Sequence, residues 1–214
     1  MSYMKKLYKL SLIGLLLFNS LNINAQDETN PWAFSFGINA VDFFPTGQDE
    51  PLGEFFDEIF NLTDHFNVLP TLSNLSISRY INNNITVGIN GSYNVIDRFG
   101  EQRVDDLTYI AVDLFGKYDF SSFFKSKSIG LEPYSGLGFG LTFIDGFAAG
   151  PELIGNLTLN GLAGLTWWWS SHFGINIESK YKASIDDDRV SSHLQHSVGL
   201  IYKFGGSSTD DDEI

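Results

Sequence analysis

The residues best suited to catalysis are two histidines, His193 and His196, near the C-terminal end of the chain. Ser191 and Ser192 precede them, and aspartates occupy positions 186–188. In nucleophilic hydrolysis a histidine base activates a serine hydroxyl and a carboxylate orients the histidine, so the necessary residue types are present. A catalytic triad also requires the three side chains to lie within hydrogen-bond distance, and the spacing of the residues in the sequence does not show this. We predict that the protein is not an enzyme and has no catalytic residues.

Metal and cofactor binding find no support in the sequence. The chain contains no cysteine, so neither a thiolate metal site nor a disulfide framework is available. The aspartate runs 186–188 and 210–212 lack the alternating spacing and the glycine turn of a calcium loop. We interpret both runs as solvated acidic loops and predict no metal site, no cofactor-binding residue and no cofactor.

Strict alternation of apolar and polar residues identifies the elements that carry the remaining charged side chains. In segment 173–182 one face holds phenylalanine, isoleucine and tyrosine, and the other holds glycine, asparagine, glutamate and lysine. A period of two is typical of a β-strand between an apolar and a polar environment. Seven other segments show similar alternation, so strands are predicted over 32–40, 71–81, 85–95, 108–120, 131–143, 153–169, 173–182 and 194–204. About 9–11 residues suffice for a tilted strand to cross a bilayer.

The connections between these strands alternate in length. Only residues 82–84 separate the second and third strands, whereas about thirty residues separate the first and second. Short turns on one side and long loops on the other are typical of outer-membrane barrels, whose short turns face the periplasm. The sequence therefore predicts an all-β fold, an eight-stranded antiparallel transmembrane β-barrel with up-and-down topology. Both mature termini are expected in the periplasm, and long loops near 41–70, 96–107, 144–152 and 184–192 are expected to face outward.

The N-terminus indicates export. Lys5, Lys6 and Lys9 precede an apolar run, and Ile23-Asn24-Ala25 resembles a cleavage site, so residues 1–25 are predicted to be a signal peptide. The barrel then occupies 26–206 and an acidic periplasmic tail occupies 207–214. The mature chain carries 10 basic and 26 acidic residues, a formal charge of −16, which argues against nucleic-acid binding. We expect an integral protein of the Gram-negative cell outer membrane.

Six charged residues fall on the polar faces of the predicted strands and form the predicted lumen charge cluster: Asp113, Lys117, Glu132, Glu178, Lys180 and Lys182. Side chains roughly fill the interior of an eight-stranded barrel. Charges in such a space need partners, because an unpaired buried charge is strongly destabilising. Equal numbers of acids and bases favour an internally paired ionic plug. The alternative is a selective ion path lined by the same groups.

The first long loop contains apolar residues at helical spacing, namely Leu52, Phe55, Phe56, Ile59 and Phe60. Acidic residues lie between them, which predicts a short amphipathic helix. We expect this loop-one helix to cap the barrel mouth. Docking of a partner is the alternative.

Four segments resemble the OmpA-family outer-membrane barrels of Bacteroidota: WAFSFG at 32–37, GEFFD at 53–57, NLTDHFNVLP at 61–70 and HLQHSVGLIYKFGG at 193–206. The resemblance covers nearly all of the mature chain. Many members of that family continue past the glycine pair into calcium-binding repeats and a periplasmic peptidoglycan-binding domain. This sequence continues instead with residues 207–214, so we expect the barrel domain only, without that tether to the cell wall.

The last predicted strand carries an apolar-aromatic face formed by Val198, Leu200, Tyr202 and Phe204. This face resembles the C-terminal signal by which the barrel-insertion machinery recognises its substrates. The predicted partners are therefore outer-membrane lipid and, during biogenesis, the insertion machinery; the sequence identifies no surface partner. We predict a structural or surface-interaction barrel with a plugged lumen, and the alternative is a small porin that conducts ions or small solutes.

Overall fold

The computed structural model describes residues 26–43, 65–99, 102–145, 153–186 and 190–205. The predicted signal peptide, the loop-one helix and the acidic tail lie outside the described residues. Among the residues described, no α-helix is long and apolar enough to cross a membrane.

The described residues form nine antiparallel strands, and eight of them close into a ring. The ring contains all strands except the two-residue β2, which pairs with the end of β1. The strands are β1 (Trp32–Asp42), β2 (Asn67–Val68), β3 (Asn74–Asn82), β4 (Ile85–Phe99), β5 (Gln102–Asp119), β6 (Leu131–Asp145), β7 (Leu153–Trp168), β8 (Phe173–Ser184) and β9 (His193–Phe204). Pairing of β1 with β9 closes the ring. The prediction of an eight-stranded up-and-down barrel is confirmed.

The strands are staggered around the ring. We follow the paired residues from strand to strand around the ring, starting at Trp32 of β1. The path returns to β1 at Asp42, ten residues further along the strand. It passes through Arg79, Val87, Gly116, Leu137, Gly161, Tyr181 and Leu194. This stagger corresponds to a strand tilt of about 40° and a barrel radius of about 8 Å. An interior of that width is filled by side chains.

The outer wall of the barrel is a continuous apolar belt. One row of paired outward residues, each 39% to 53% exposed, illustrates it: Phe34, Ile77, Ile89, Leu114 and Phe139. On the inner face, the neighbouring row contains Asn90, Asp113 and Thr158, all of which are buried. The alternation in the sequence therefore corresponds to an apolar outside and a largely polar inside.

The connection between β4 and β5 differs from the prediction. A long loop was expected over 96–107, but β4 continues to Phe99 and β5 begins at Gln102. The reason is apolar packing, because Ile96 and Leu107 are buried in a cluster with Val41 and Tyr109. A register shift after Ile96 bends this hairpin. A short α-helix (Ser121–Phe124) and a 3₁₀ turn (Lys127–Ile129) between β5 and β6 were also not predicted.

Candidate functional site in the barrel lumen

An ion-pair network crosses the middle of the lumen. Asp113 lies on β5, and its carboxylate contacts two lysines of β8: Lys180 Nζ at 3.0 Å and Lys182 Nζ at 2.8 Å. Two strands separate β5 from β8 along the ring, so these contacts span the interior. The three residues are at most 2% exposed. Charges buried to this extent are stable only when paired and hydrogen-bonded.

Neutral amides complete the surroundings of these charges. Asn160 donates a hydrogen bond to Asp113 Oδ1 at 3.0 Å, and Lys180 donates to Asn90 Oδ1 at 3.3 Å. Asn90 in turn donates to Asn74 at 2.9 Å. Opposite Asp113, a Cβ at Gly140 would overlap the Asp113 carboxylate, so this glycine makes room for the network. Several mutual hydrogen bonds in a poorly solvated interior favour one arrangement of these side chains.

A second group extends the network toward the end of the barrel with the short turns 82–84 and 170–172, which we call the short-turn end. Lys180 Nζ lies 3.5 Å from Glu178 Oε1, and Tyr134 donates to Glu178 Oε2 at 3.0 Å. Asn176 donates to the Tyr134 hydroxyl at 2.7 Å. The Lys117 ammonium group lies 4.3 Å from the centroid of the Tyr134 ring, a cation–π arrangement.

Glu132 occupies a different position from the other predicted lumen charges. It is buried near the short-turn end, and within the described residues it makes no direct ion pair. The positive charges of Lys117 and Lys203 act on its carboxylate. The structure therefore brings Asp113, Glu178, Lys180 and Lys182 into direct contact and leaves Lys117 and Glu132 beside them.

Lys203 is an inward charge outside the predicted lumen charge cluster. Its side chain is fully buried, and its ammonium group lies 4.8 Å from the centroid of the Trp168 ring. Its position between Tyr202 and Phe204, both on the outward face of β9, already indicates an inward side chain. The predicted equality of inward acids and bases was therefore incomplete.

Clusters of buried apolar side chains lie at both ends of the lumen. At the end with the long connections, the long-loop end, a buried cluster comprises Val41, Phe43, Ile96, Leu107, Tyr109, Ala111, Ile144 and Val190. At the short-turn end, Ala33, Trp168 and Ile201 form a smaller cluster. Alternation does not predict either cluster. It assigns apolar residues to the outer face, whereas these apolar residues lie on the inner face.

The described residues enclose small cavities in the lumen. One of about 20 Å³ lies near Lys117, Glu132 and Trp168, and another of about 20 Å³ lies near Asn90, Phe115 and Glu178. A volume of this size holds roughly one water molecule. Neither cavity accommodates a small-molecule ligand.

The two histidines lie on opposite faces of β9. His193 points inward, where its Nε2 lies 3.0 Å from the Tyr109 hydroxyl. His196 lies on the outer face, where its Nδ1 is 2.8 Å from Ser179 Oγ and its ring stacks on Phe66. The two histidines therefore do not belong to one site. Within the described chain, no three potential ligand side chains converge as a metal site requires.

The predicted insertion-signal residues share the outer face of β9. All four are between 36% and 46% exposed: Val198, Leu200, Tyr202 and Phe204. They pair across the seam with outward residues of β1. The placement suits a lipid-facing surface, and the role in insertion stays a prediction.

Solved outer-membrane proteins share the eight-stranded barrel fold. The outer membrane protein OprG of Pseudomonas aeruginosa is 12% identical, with 87% of this chain and 100% of that chain covered and a TM-score of 0.55. The N-terminal β-barrel domain of OprF from the same organism is 11% identical, with 82% and 98% covered and a TM-score of 0.50. The fold is that of the eight-stranded outer-membrane barrels.

Ail of Yersinia pestis is a further similar structure of this barrel type, 16% identical over 82% of this chain and 97% of that chain, with a TM-score of 0.43. No family model matches this barrel, and no curated protein matches its sequence. Membership of the OmpA family of Bacteroidota stays a prediction.

Proposed function

We propose that this protein is an integral outer-membrane barrel with a structural or surface-interaction role and a lumen plugged by its own side chains. Its short turns and the ends of β1 and β9 nearest the termini lie in the periplasm, and its long connections face outward. The apolar outer belt and the barrel fold support the location. The interacting partners are membrane lipid and, during biogenesis, the insertion machinery that reads the outer face of β9.

The observation that carries the plugged-lumen proposal is the contact of Asp113 with two lysines from the opposite wall. A permeating ion would have to separate these pairs in an interior that is largely occupied by side chains. Separating a buried pair is costly because each charge then lacks its partner. The apolar clusters at the two ends add barriers, because their side chains cannot replace the hydration shell of an ion.

Bilayer conductance tests this proposal. Purified barrel is refolded into lipid vesicles, its folded state is checked by the heat-dependent shift in gel mobility, and single-channel current is recorded in planar bilayers. We expect no stepwise conductance above that of protein-free bilayers. Steady conductance by the folded, unmutated protein would overturn the plugged lumen and favour the small porin.

A matched pair of variants makes the recording more decisive. Replacing Asp113 and Lys182 together by alanine removes the centre of the network, whereas replacing outward Ile177 by alanine leaves the lumen unchanged. Brief or unstable current is expected only from the lumen variant. Identical current from both variants would show that the network does not control permeation.

A further inference from the structure

The outer wall contains an apolar groove near the short-turn end. It has a volume of about 700 Å³ and crosses β3 to β6, with Ile77, Val87, Leu114, Leu137 and Phe139 among its lining residues. Its lining is contributed by outward side chains and by the backbone between them.

The groove exists because a glycine interrupts a row of large side chains. Gly116 lies between Val87 and Leu137 in the row of outward positions, and nothing lies within 4 Å of the place where its Cβ would be. Gly161 follows Leu137 in the same row and is equally open, but it does not line the groove. The two glycines therefore provide a test position and a matched control.

A basic residue stands at the edge of this groove. Arg79 also lines it, and its guanidinium lies 5.3 Å from the centroid of the Trp32 ring. Its outward neighbours, both across the strands and along β3, are Trp32, Ile77, Ile81 and Val87. Within the described residues Arg79 has no acidic partner. A cation on a lipid-facing wall requires a counter-charge from outside the protein.

The position of Arg79 along β3 matches the headgroup region of a bilayer. Arg79 precedes the end of β3 at Asn82 by three residues, about 10 Å along the strand. An arginine at this depth extends its guanidinium toward the lipid phosphates while its stem covers apolar surface. Trp32 beside it is of the residue type that is concentrated at the same level.

We infer that the groove around Gly116 is a binding site for one phospholipid with a net anionic headgroup, whose acyl chain lies across Gly116 and whose phosphate contacts Arg79. A net anionic headgroup neutralises Arg79 without introducing a cation of its own. This inference rests on the proposed function, because it places the short-turn end in the periplasmic leaflet. It assigns the barrel a specific lipid partner beyond general contact with the membrane.

Native mass spectrometry of the folded barrel tests the inference. Phosphatidylglycerol and phosphatidylcholine with identical acyl chains are added in equal amounts, and the retained lipid is identified. We expect the unmutated barrel to retain one phosphatidylglycerol with a preference of about fivefold, the effect of a single basic residue near a lipid surface. Arg79→Gln should reduce the preference to about one, and Arg79→Lys should restore most of it.

The glycine pair tests the groove separately from the charge. Gly116→Leu places a side chain where the acyl chain would lie and should abolish retention of both lipids, whereas Gly161→Leu should leave retention unchanged. Equal preference for the two lipids by the unmutated barrel, or equal loss in both glycine variants, would overturn the inference. A barrel dimer that Gly116→Leu dissociates would also overturn it, by showing that a second copy fills the groove.

Insertion into vesicles distinguishes failure of the proposed function from failure of the lipid site alone. Every variant is first tested for insertion into vesicles and for heat-dependent gel mobility. If the unmutated protein does not insert, the proposed function fails and the lipid site fails with it. If the protein inserts but shows no lipid preference, only the lipid site fails.

Discussion

Asp113 contacts three polar side chains of the lumen network. Its two carboxylate oxygens accept hydrogen bonds from Lys180, Lys182 and Asn160. The inward-facing Gly140 leaves space for the carboxylate. Lys180 has a second acidic partner in Glu178, whereas the ion pair of Lys182 is with Asp113. Removing the Asp113 charge therefore affects Lys182 most.

We expect Asp113→Asn to lower the free energy of unfolding by about 3–5 kcal/mol, because Lys182 is left buried without its carboxylate. The double variant Asp113→Asn with Lys182→Met should lose less unfolding free energy, since it also removes the lysine charge that the single variant leaves unpaired. Urea unfolding of the barrel in vesicles, followed by gel mobility, measures both. A single variant as stable as the unmutated protein would indicate a hydrated lumen that screens these charges.

At the scale of the element, β8 separates two environments along one strand. Ile177 is 51% exposed on the outer face, whereas its neighbour Asn176 points inward and donates to Tyr134 and Thr166. From alternation alone, replacement of Asn176 by serine appears harmless, because both residues are polar. The hydrogen bonds of Asn176 change that expectation.

We expect Ile177→Lys to lower the free energy of unfolding in a bilayer by about 2–4 kcal/mol, the cost of lysine on the lipid face near the midplane. Asn176→Ser should cost about 1 kcal/mol through the lost hydrogen bonds. Ile177→Val is the control and should be nearly neutral. Urea titration in vesicles measures all three, and a larger effect at Asn176 than at Ile177 would reverse the assignment of the two faces.

The hairpin of β4 and β5 shows how tertiary packing extends an element. Polar residues over 97–106 predicted a loop, yet both strands continue beyond the ring. Ile96 and Leu107 are directed inward and bury their side chains with Val41. The burial of these apolar residues outweighs the turn preference of the polar residues around them.

At the scale of the whole molecule, the closed ring leaves no free edge among its eight strands. Every ring strand pairs on both sides, so main-chain hydrogen bonds are satisfied without water, as a membrane requires. A water-soluble protein has apolar side chains inside and charged side chains outside. This barrel has the opposite distribution, with an apolar belt outside and paired charges inside.

We expect the protein expressed in a Gram-negative host to fractionate with outer membranes. Without heating in detergent, it should migrate on gels differently from the heated protein, because the closed ring resists unfolding. Membrane fractionation and paired gel lanes measure these two properties. Recovery as a soluble periplasmic protein would contradict the proposed location.

The sequence by itself determined the number of ring strands and which face each one turns outward. Alternation of apolar and polar residues is a local property, and a strand keeps it whatever its neighbours are. The same parity placed Asp113, Lys180 and Lys182 on the inner face and would have placed Lys203 there too. Boundaries agreed within a few residues for most strands, for example at Ile85 and Phe204.

Only the tertiary structure decided which inward residues meet. Asp113 contacts lysines 67 and 69 positions away, and that encounter depends on the ten-residue stagger of the ring, which no single strand specifies. The apolar clusters at both ends and the groove at Gly116 have the same origin. Each arises from side chains on several strands that come together only after the ring closes.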